Sequence, residues 1–373
     1  MGRLLYFFPE NDIALGHFNN GFTAPAAAER LRLSGEALPL WYGASDNRVL
    51  MSGINARWYD RMASDFGITA DIFSFDMDGL IPEPWGWSPV VRHIYAEQGM
   101  DLSLMPDDST LTRIRTLSSR ATSSAIAECL AAQLPFIQST SPAEINNAAL
   151  LPAYMKETGE CVLKQPWSSS GRGVIDSVGM DISTFERHAA GIIRHQGYVI
   201  VERLLPRKED FALLFRQENG RCSYRGLSLF ETDRRHSYTG NIVARQEILR
   251  NMLNEYLTDS EINRLTTTLE NILTQTIGNA YTGPLGIDLM VLDTEGERHI
   301  AMSEMNMRNS MGHLCMSLGE RFLAPGKKAM FRIEPSVSGQ PSGKYHAEGQ
   351  QLVDGILDLV PDRFYRFSIT TQS

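Results

Sequence analysis

Residues 283–313, GPLGIDLMVLDTEGERHIAMSEMNMRNSMGH, constrain the fold more than any other stretch of the chain. Leu285 to Leu292 is apolar and branched, Asp293-Thr294-Glu295-Gly296 is turn chemistry, and His299 to Met305 reads as a returning strand. The pattern predicts a hairpin. Folding about the turn brings Asp288 opposite Glu304, and Asn306 shares the face of Glu304 because side chains alternate along a strand. Arg308 continues that face. Met302, Met305 and Met307 on one side and Leu289 and Val291 on the other predict a half-buried element. Two carboxylates and an amide oxygen are hard ligands that suit Mg²⁺, or Mn²⁺ in its place, and the neighbouring guanidinium could hold an anion. A merely solvated polar face would use the same residues, so the reading depends on a phosphate site elsewhere.

The 373 residues exceed one typical domain of ~100–200 residues, so subdomains sharing a cleft are expected. A formal net charge of −9 argues against a nucleic-acid or membrane-surface protein, and any bound polyanion must be met locally. Cys129, Cys161, Cys222 and Cys315 are far apart without C-x-x-C spacing, which fits a reduced cytosolic protein better than a disulfide scaffold or zinc site. The apolar run Leu4 to Phe8 is too short for a signal peptide or a membrane span, and a cytoplasmic protein is expected.

Taken in order, residues 1–110 read as an α/β unit: a strand Arg3 to Phe8, a polar loop PENDIALGHFNNG, a helix Ala24 to Leu33, and strands Leu38 to Tyr42 and Asp71 to Phe75. Asn11, Asp12 and His17 are either substrate contacts or members of a hydrogen-bonded turn. Thr110 to Gln133 predicts one helix and Leu134 to Ile137 a short strand. Ser141-Pro142-Ala143-Glu144 predicts a capping box opening a helix to about Glu157. A strand, Glu160 to Gln165, then delivers Lys164 to the loop Ser168-Ser169-Ser170-Gly171-Arg172-Gly173, whose small residues let backbone N–H groups wrap an anion. This loop is neither a Walker loop nor a dinucleotide fingerprint, and a plain surface turn is its alternative. Ser183-Thr184-Phe185-Glu186 predicts the next helix cap.

Tyr198 to Leu205, Phe211 to Gln217 and Arg221 to Phe230 read as strands, and Glu202 on the first of them needs a partner. Residues 232–245 form a basic stretch that either covers an anionic ligand or is a surface loop. Thr258-Asp259-Ser260-Glu261 predicts a capping box for a helix to about Gly278. Beyond Gly319, PSVSGQPSG reads as a linker and the tail from about His346 as a helix and a last strand. No G-x-S-x-G, H-E-x-x-H or Cys/His arrangement points to nucleophilic catalysis.

A lysine, a Ser/Gly loop, a hydrophobic strand ending in glutamate, a second acidic residue and D…E-x-N, in that order over about Arg113 to His313, resemble the ATP-grasp superfamily. The resemblance implies an α/β (α+β grasp) fold with ATP between antiparallel sheets: an N-terminal domain 1–110, grasp subdomains 111–197 and 198–330, and an extension 331–373. It implies ATP and Mg²⁺ as cofactors, with Arg120 and Lys164 on phosphates and Ser169, Ser170, Gly171 and Gly173 in the loop that closes over them. VIVERLLPRKEDF resembles the adenine hinge, with Glu202 and Arg203, Leu204 and Leu205 near the base and Glu209 at the ribose. Asp288, Glu304 and Asn306 match the metal ligands. Gly286 stands where many relatives carry arginine, so transition-state stabilisation falls to Arg308, or to Arg234, Arg235 and Arg245. The implied activity is ligation through an acylphosphate of a small-molecule or peptide carboxylate, with a grasp-fold kinase or a silent nucleotide binder as alternatives. Grasp enzymes are frequently homodimers.

Overall fold

The computed structural model describes residues 2–53, 55–72, 77–168, 173–233, 238–294, 299–337 and 342–372. Phe73 to Phe75 of the expected strand, Glu295 and Gly296 of the hairpin turn, Ser169, Ser170, Gly171, Arg234 and Arg235 lie outside the described residues.

The N-terminal layer runs β1 (Gly2–Tyr6), α1 (Asn11–His17), α2 (Ala26–Gly35), β2 (Arg48–Val49), α3 (Ala56–Phe66), β3 (Asp71–Ile72), β4 (Leu80–Pro84) and α4 (Pro89–Glu97), with a parallel sheet ordered β3-β2-β1-β4. Two expectations fail here. The polar run after β1 is helical: Ala14 N donates to Glu10 O at 3.1 Å, Ala14 and Leu15 turn into the core, and Phe18 ends the turn at φ 50°. A helix of seven residues is too short to declare a period. Leu38 to Tyr42 is not a strand either, because Leu38–Trp41 forms a 3₁₀ turn with all four side chains buried. An apolar run buried on every side carries no periodicity, and Pro39 suits the first turn.

The stretch 110–133 is two helices, α5 (Asp108–Leu117) and α6 (Arg120–Gln133). Ser119 separates them in extended conformation, and its side chain accepts from Thr122 N as the cap of α6. Residues 134–137 form no strand, only an isolated bridge between Ile137 and Ile300. There follow β5 (Ala143–Ile145), α7 (Leu151–Thr158), β6 (Cys161–Lys164), β7 (Val174–Asp176), α8 (Ile182–Gln196) and β8 (Val199–Arg203), whose strands make a small antiparallel sheet ordered β5-β8-β6-β7. The capping box expected at Ser141 is absent: Ser141 has φ 50°, and Ala143–Ile145 pairs with Val199–Val201 instead. Tertiary pairing overrides the local cap signature here. The cap of α8 is Asp181, two residues earlier than expected.

The remaining elements are β9 (Arg207–Glu218), β10 (Arg221–Thr232), β11 (Tyr238–Val243), α9 (Gln246–Leu253), α10 (Asp259–Ile277), β12 (Gly283–Leu292), β13 (Ile300–Asn306), α11 (Met311–Ser317), β14 (Lys328–Pro335), β15 (Tyr345–Glu348), β16 (Gln351–Asp358) and β17 (Tyr365–Gln372). Among the described residues they build a sheet ordered β13-β12-β9-β10-β11-β14-β17-β16-β15. The capping box of α10 forms as expected, with Thr258 and Glu261 bonded reciprocally. Among the described residues the tail holds three strands and no helix, because residues 345–348 pair with β16 rather than coil locally. β8 pairs within the small sheet and β14, which runs through residue 331, within the large one.

Alternation along the long strands divides their two faces. Phe211, Leu213 and Phe215 of β9 are buried toward the α10 side, while Asp210 and Ala212 face a cleft under the small sheet. Ser119 sets the start of α6 and therefore the position of Arg120. Ser119→Ala should lower unfolding free energy by ~1 kcal/mol, the usual cost of a lost N-cap, read as a reduced denaturation midpoint at unchanged slope.

Candidate active site

The floor of the cleft is the β12–β13 pair, in which Asp288 stands opposite Glu304 and Gly286 opposite Asn306. Asn306 Nδ2 donates to Asp288 Oδ2 at 2.8 Å, and an Arg308 terminal nitrogen donates to Asn306 Oδ1 at 2.9 Å. Arg308 Nε in turn donates to Asp12 Oδ2 at 2.6 Å. Arg120, at the first turn of α6, lies 3.0 Å from Glu304 Oε2 and donates to Ser168 Oγ at 3.3 Å. Burial and then the charge of Glu304 push the Asp288 carboxyl up to about 7, against the pull of Arg308 and Asn306. Two carboxylates opposed on neighbouring strands are also hard ligands that a divalent ion could bridge. Among the described residues no group of three or more His, Cys, Asp or Glu is placed to hold an ion. The set is two carboxylates and one amide, which suits an ion that keeps water and phosphate oxygens. Asn306 turns its nitrogen toward Asp288, so presenting its oxygen there means rotating the amide away from Arg308.

Between Asp288 and Leu289 the register shifts, leaving Ser303 as the extra residue of β13. Its carbonyl accepts from Lys164 Nζ at 3.1 Å, and the same ammonium donates to Glu202 Oε2 at 2.8 Å. Lys164 and Glu202 are 5% and 4% exposed, so the carboxylate on a buried strand has its partner across β6–β8. One ammonium thus ties the small sheet to the bulge beside the carboxylate pair. Gly173 closes the loop after β6: its carbonyl accepts from Gln165 N at 2.8 Å, and a Cβ there would lie 2.5 Å from that of Ser168.

A single cleft with a cavity volume of about 260 Å³ gathers Arg120, Lys164, Glu202, Arg203, Leu204, Leu205, Asp288, Glu304, Asn306 and Arg308. Among the expected site residues that are described, Gly173 and Glu209 do not line it: Gly173 sits between the lining residues Ser168 and Val174, and Glu209 is exposed, opposite Val291. The next residue, Asp210, faces inward, accepting from Thr232 Oγ1 at 2.6 Å and pairing with Arg207 at 3.2 Å. Arg245 and His17 do not line the cleft. Asp12 anchors Arg308, a role its sequence context does not signal because the partners are 296 residues apart. Pro9 and Trp85 likewise enter the lining from the N-terminal layer without a motif.

No protein-family model and no curated protein matches this sequence. Solved structures do. Biotin carboxylase from Campylobacter jejuni, in complex with β,γ-ATP, is similar with a TM-score of 0.56 at 13% identity, over 99% of this chain and 87% of that one. N5-carboxyaminoimidazole synthetase from Staphylococcus aureus, complexed with ADP, gives 0.52 at 10% identity over 100% and 94%. The biotin carboxylase domain dimer of the 2-oxoglutarate carboxylase from Hydrogenobacter thermophilus, in complex with MgADP, ADP and bicarbonate, gives 0.51 at 12% over 99% and 86%. The class these likenesses define is one of fold: an α/β chain with an N-terminal parallel layer and two antiparallel sheets about a cleft. It is the ATP-grasp fold.

Asp288 supplies a pH test of this geometry. Its pKa of about 7 lies above the ordinary 3.8, so the fold favours the protonated form. The associated stability is fully present below pH ~4 and is lost as pH rises through about 7. In metal-free buffer the urea midpoint of the wild type should therefore fall more between pH 5 and pH 8 than that of Asp288→Asn.

Proposed function

We propose that the chain is an ATP- and Mg²⁺-dependent ligase that activates a carboxylate as an acylphosphate for attack by an amine or another nucleophile. The observation that carries this reading is the convergence of Lys164, Arg120 and Arg308 with Asp288, Glu304 and Asn306 in one cleft between two antiparallel sheets. The similar structures bound to ATP, ADP or MgADP support the nucleotide, and the bicarbonate of one supports an acid as co-substrate.

In this reading Glu202, Arg203, Leu204 and Leu205 hold the base, and Asp210 takes the ribose place first assigned to Glu209. Lys164, Arg120 and the backbone at Gly173 bind phosphate oxygens. Asp288, Glu304 and Asn306 would hold Mg²⁺, which supplies neutralisation of polyphosphate charge. A carboxylate oxygen of the substrate attacks the γ-phosphorus, the bond to the β–γ bridging oxygen breaks, and ADP departs. The nucleophile then adds at the acyl carbon and inorganic phosphate leaves. Arg308, kept at the floor by Asp12, stabilises the charge that develops, so positioning and electrostatics suffice without a side-chain nucleophile. One similar structure is a dimer, and a homodimer in the cytoplasm is the corresponding proposal for this chain. No described helix is long and apolar enough to cross a membrane.

Thermal unfolding with ATP, ADP and GTP, each with and without Mg²⁺, tests the reading, since a ligand that binds the native state raises apparent stability. Selective stabilisation by adenine nucleotides with Mg²⁺ is expected, and none at millimolar concentration would refute it. Glu304→Gln should reduce acid-dependent ADP formation by roughly 100-fold, the scale of losing one preorganised electrostatic group. Its unfolding temperature without ligand should stay within a few degrees of the wild type.

A further inference from the structure

We infer that the acid activated in this cleft carries a bulky apolar or aromatic group remote from its carboxylate. The inference rests on the ligase reading only for the direction in which the substrate lies. Crossing the concave face in strand order, the cleft side chains change character. Glu304 and Asp288 on β13 and β12 give way to Ala212 on β9, Phe230 on β10 and Ile333 on β14. At ~4.8 Å per strand, Phe230 lies two strands, about 10 Å, and Ile333 four strands, about 19 Å, across the sheet from Asp288, and each is further displaced along its strand. A two- or three-carbon acid at the carboxylate end reaches neither. Leu31 of α2 and Met311 of α11 face the same distal half. Phe230, Ile333, Leu31 and Met311 are all only half-buried, so their apolar surface opens into the cleft.

The polar groups of this half are already engaged with one another. Asn241 Nδ2 donates to Ser228 Oγ at 2.6 Å and to Leu229 O at 3.1 Å, and its Oδ1 accepts the Tyr238 hydroxyl. Asp210, the proposed ribose contact and the cross-strand partner of Phe230, marks the nucleotide border of this half and is held by Thr232 and Arg207. Arg308, at the border with the carboxylate end, is held by Asp12, Asn306 and the Asn309 carbonyl. Among the described lining residues of β10, β11 and β14, therefore, no ionised group is left to receive a substrate ammonium or a second carboxylate. A charge placed here would lose water without gaining a partner, whereas an apolar group covers side chains that are now wet. Phe230 and Tyr238, with ring centroids 6.5 Å apart, add an aromatic surface suited to edge or offset contact with a ring.

Calorimetric titration of the full chain without nucleotide tests this, with 4-phenylbutanoate, octanoate and N-acetylphenylalanine against acetate, succinate and glutamate. The apolar acids should bind at least ~10-fold more tightly than the small or doubly charged ones, the scale on which apolar pockets discriminate. Phe230→Ala should weaken the best of them by about 10-fold. Equal or tighter binding of acetate, succinate or glutamate would overturn the inference. So would an unchanged affinity in Phe230→Ala, or failure of every apolar acid to bind at millimolar concentration. Mg-ATP stabilisation, measured on the same protein, reports the ligase reading separately: its absence with apolar acids bound would sink that reading and leave the subsite standing.

Discussion

The antiparallel register of β12 against β13 is the constraint on which the site depends, because it alone sets Asp288 opposite Glu304. A slip of β13 by one residue would turn Glu304 into the core and three methionines of β13 and its exit toward the cleft. The opposite face prevents it: Leu285, Ile287 and Leu289 of β12 are buried beside Phe211, Leu213 and Phe215 of β9. Hydrophobic packing on one face thus holds like charges together on the other. Burial first, and then the charge of Glu304, pull the Asp288 carboxyl upward.

Three cations stand around that arrangement, and each comes from a different layer. Arg120 arrives on α6, whose Ser123 Oγ also accepts from Met305 N at 3.1 Å and so fastens the helix to β13. Lys164 arrives from the small sheet. Arg308 belongs to the floor but is oriented by Asp12 of the N-terminal layer, while Asn309 N donates to Trp85 O at 2.6 Å beside it. A buried arginine–carboxylate pair is weak evidence of stability, since desolvation offsets much of the attraction, but it fixes geometry well. The N-terminal layer is therefore part of the site, and its distance in sequence conceals this.

The hairpin, the α10 cap and the lysine on β6 were legible because each is written in consecutive residues: alternation, a reciprocal Thr/Glu pair, a charge at the end of an apolar run. What failed were features decided by a partner far away in the chain. Ser141-Pro142-Ala143-Glu144 has the letters of a helix start, yet the open edge of β8 takes the segment as a strand. The tail strands pair with each other and with β14, so their local turn residues misled. Glu209 and Asp210 show the smallest such failure: which of two adjacent acids faces the cleft depends on the pleat phase of β9, and the turn before it hides that phase.

The charges of the cleft bear on the proposed metal. Among the described lining residues Glu202, Asp210, Asp288 and Glu304 face Arg120, Lys164, Arg203, Arg207 and Arg308. Most are already paired: Lys164 with Glu202, Arg120 with Glu304, Arg207 with Asp210, and Arg308 with Asp12 just outside. The cleft is close to neutral before any ligand enters, in a chain whose formal net charge is −9. A polyphosphate entering alone would have to draw Lys164 and Arg120 from their carboxylates, leaving Glu202 and Glu304 desolvated and unpaired. Divalent ions entering with the polyphosphate remove the conflict, since they satisfy Asp288 and Glu304 as Arg120 is released. In the proposed reading, dependence on a metal would follow from charge balance in a low-dielectric cleft.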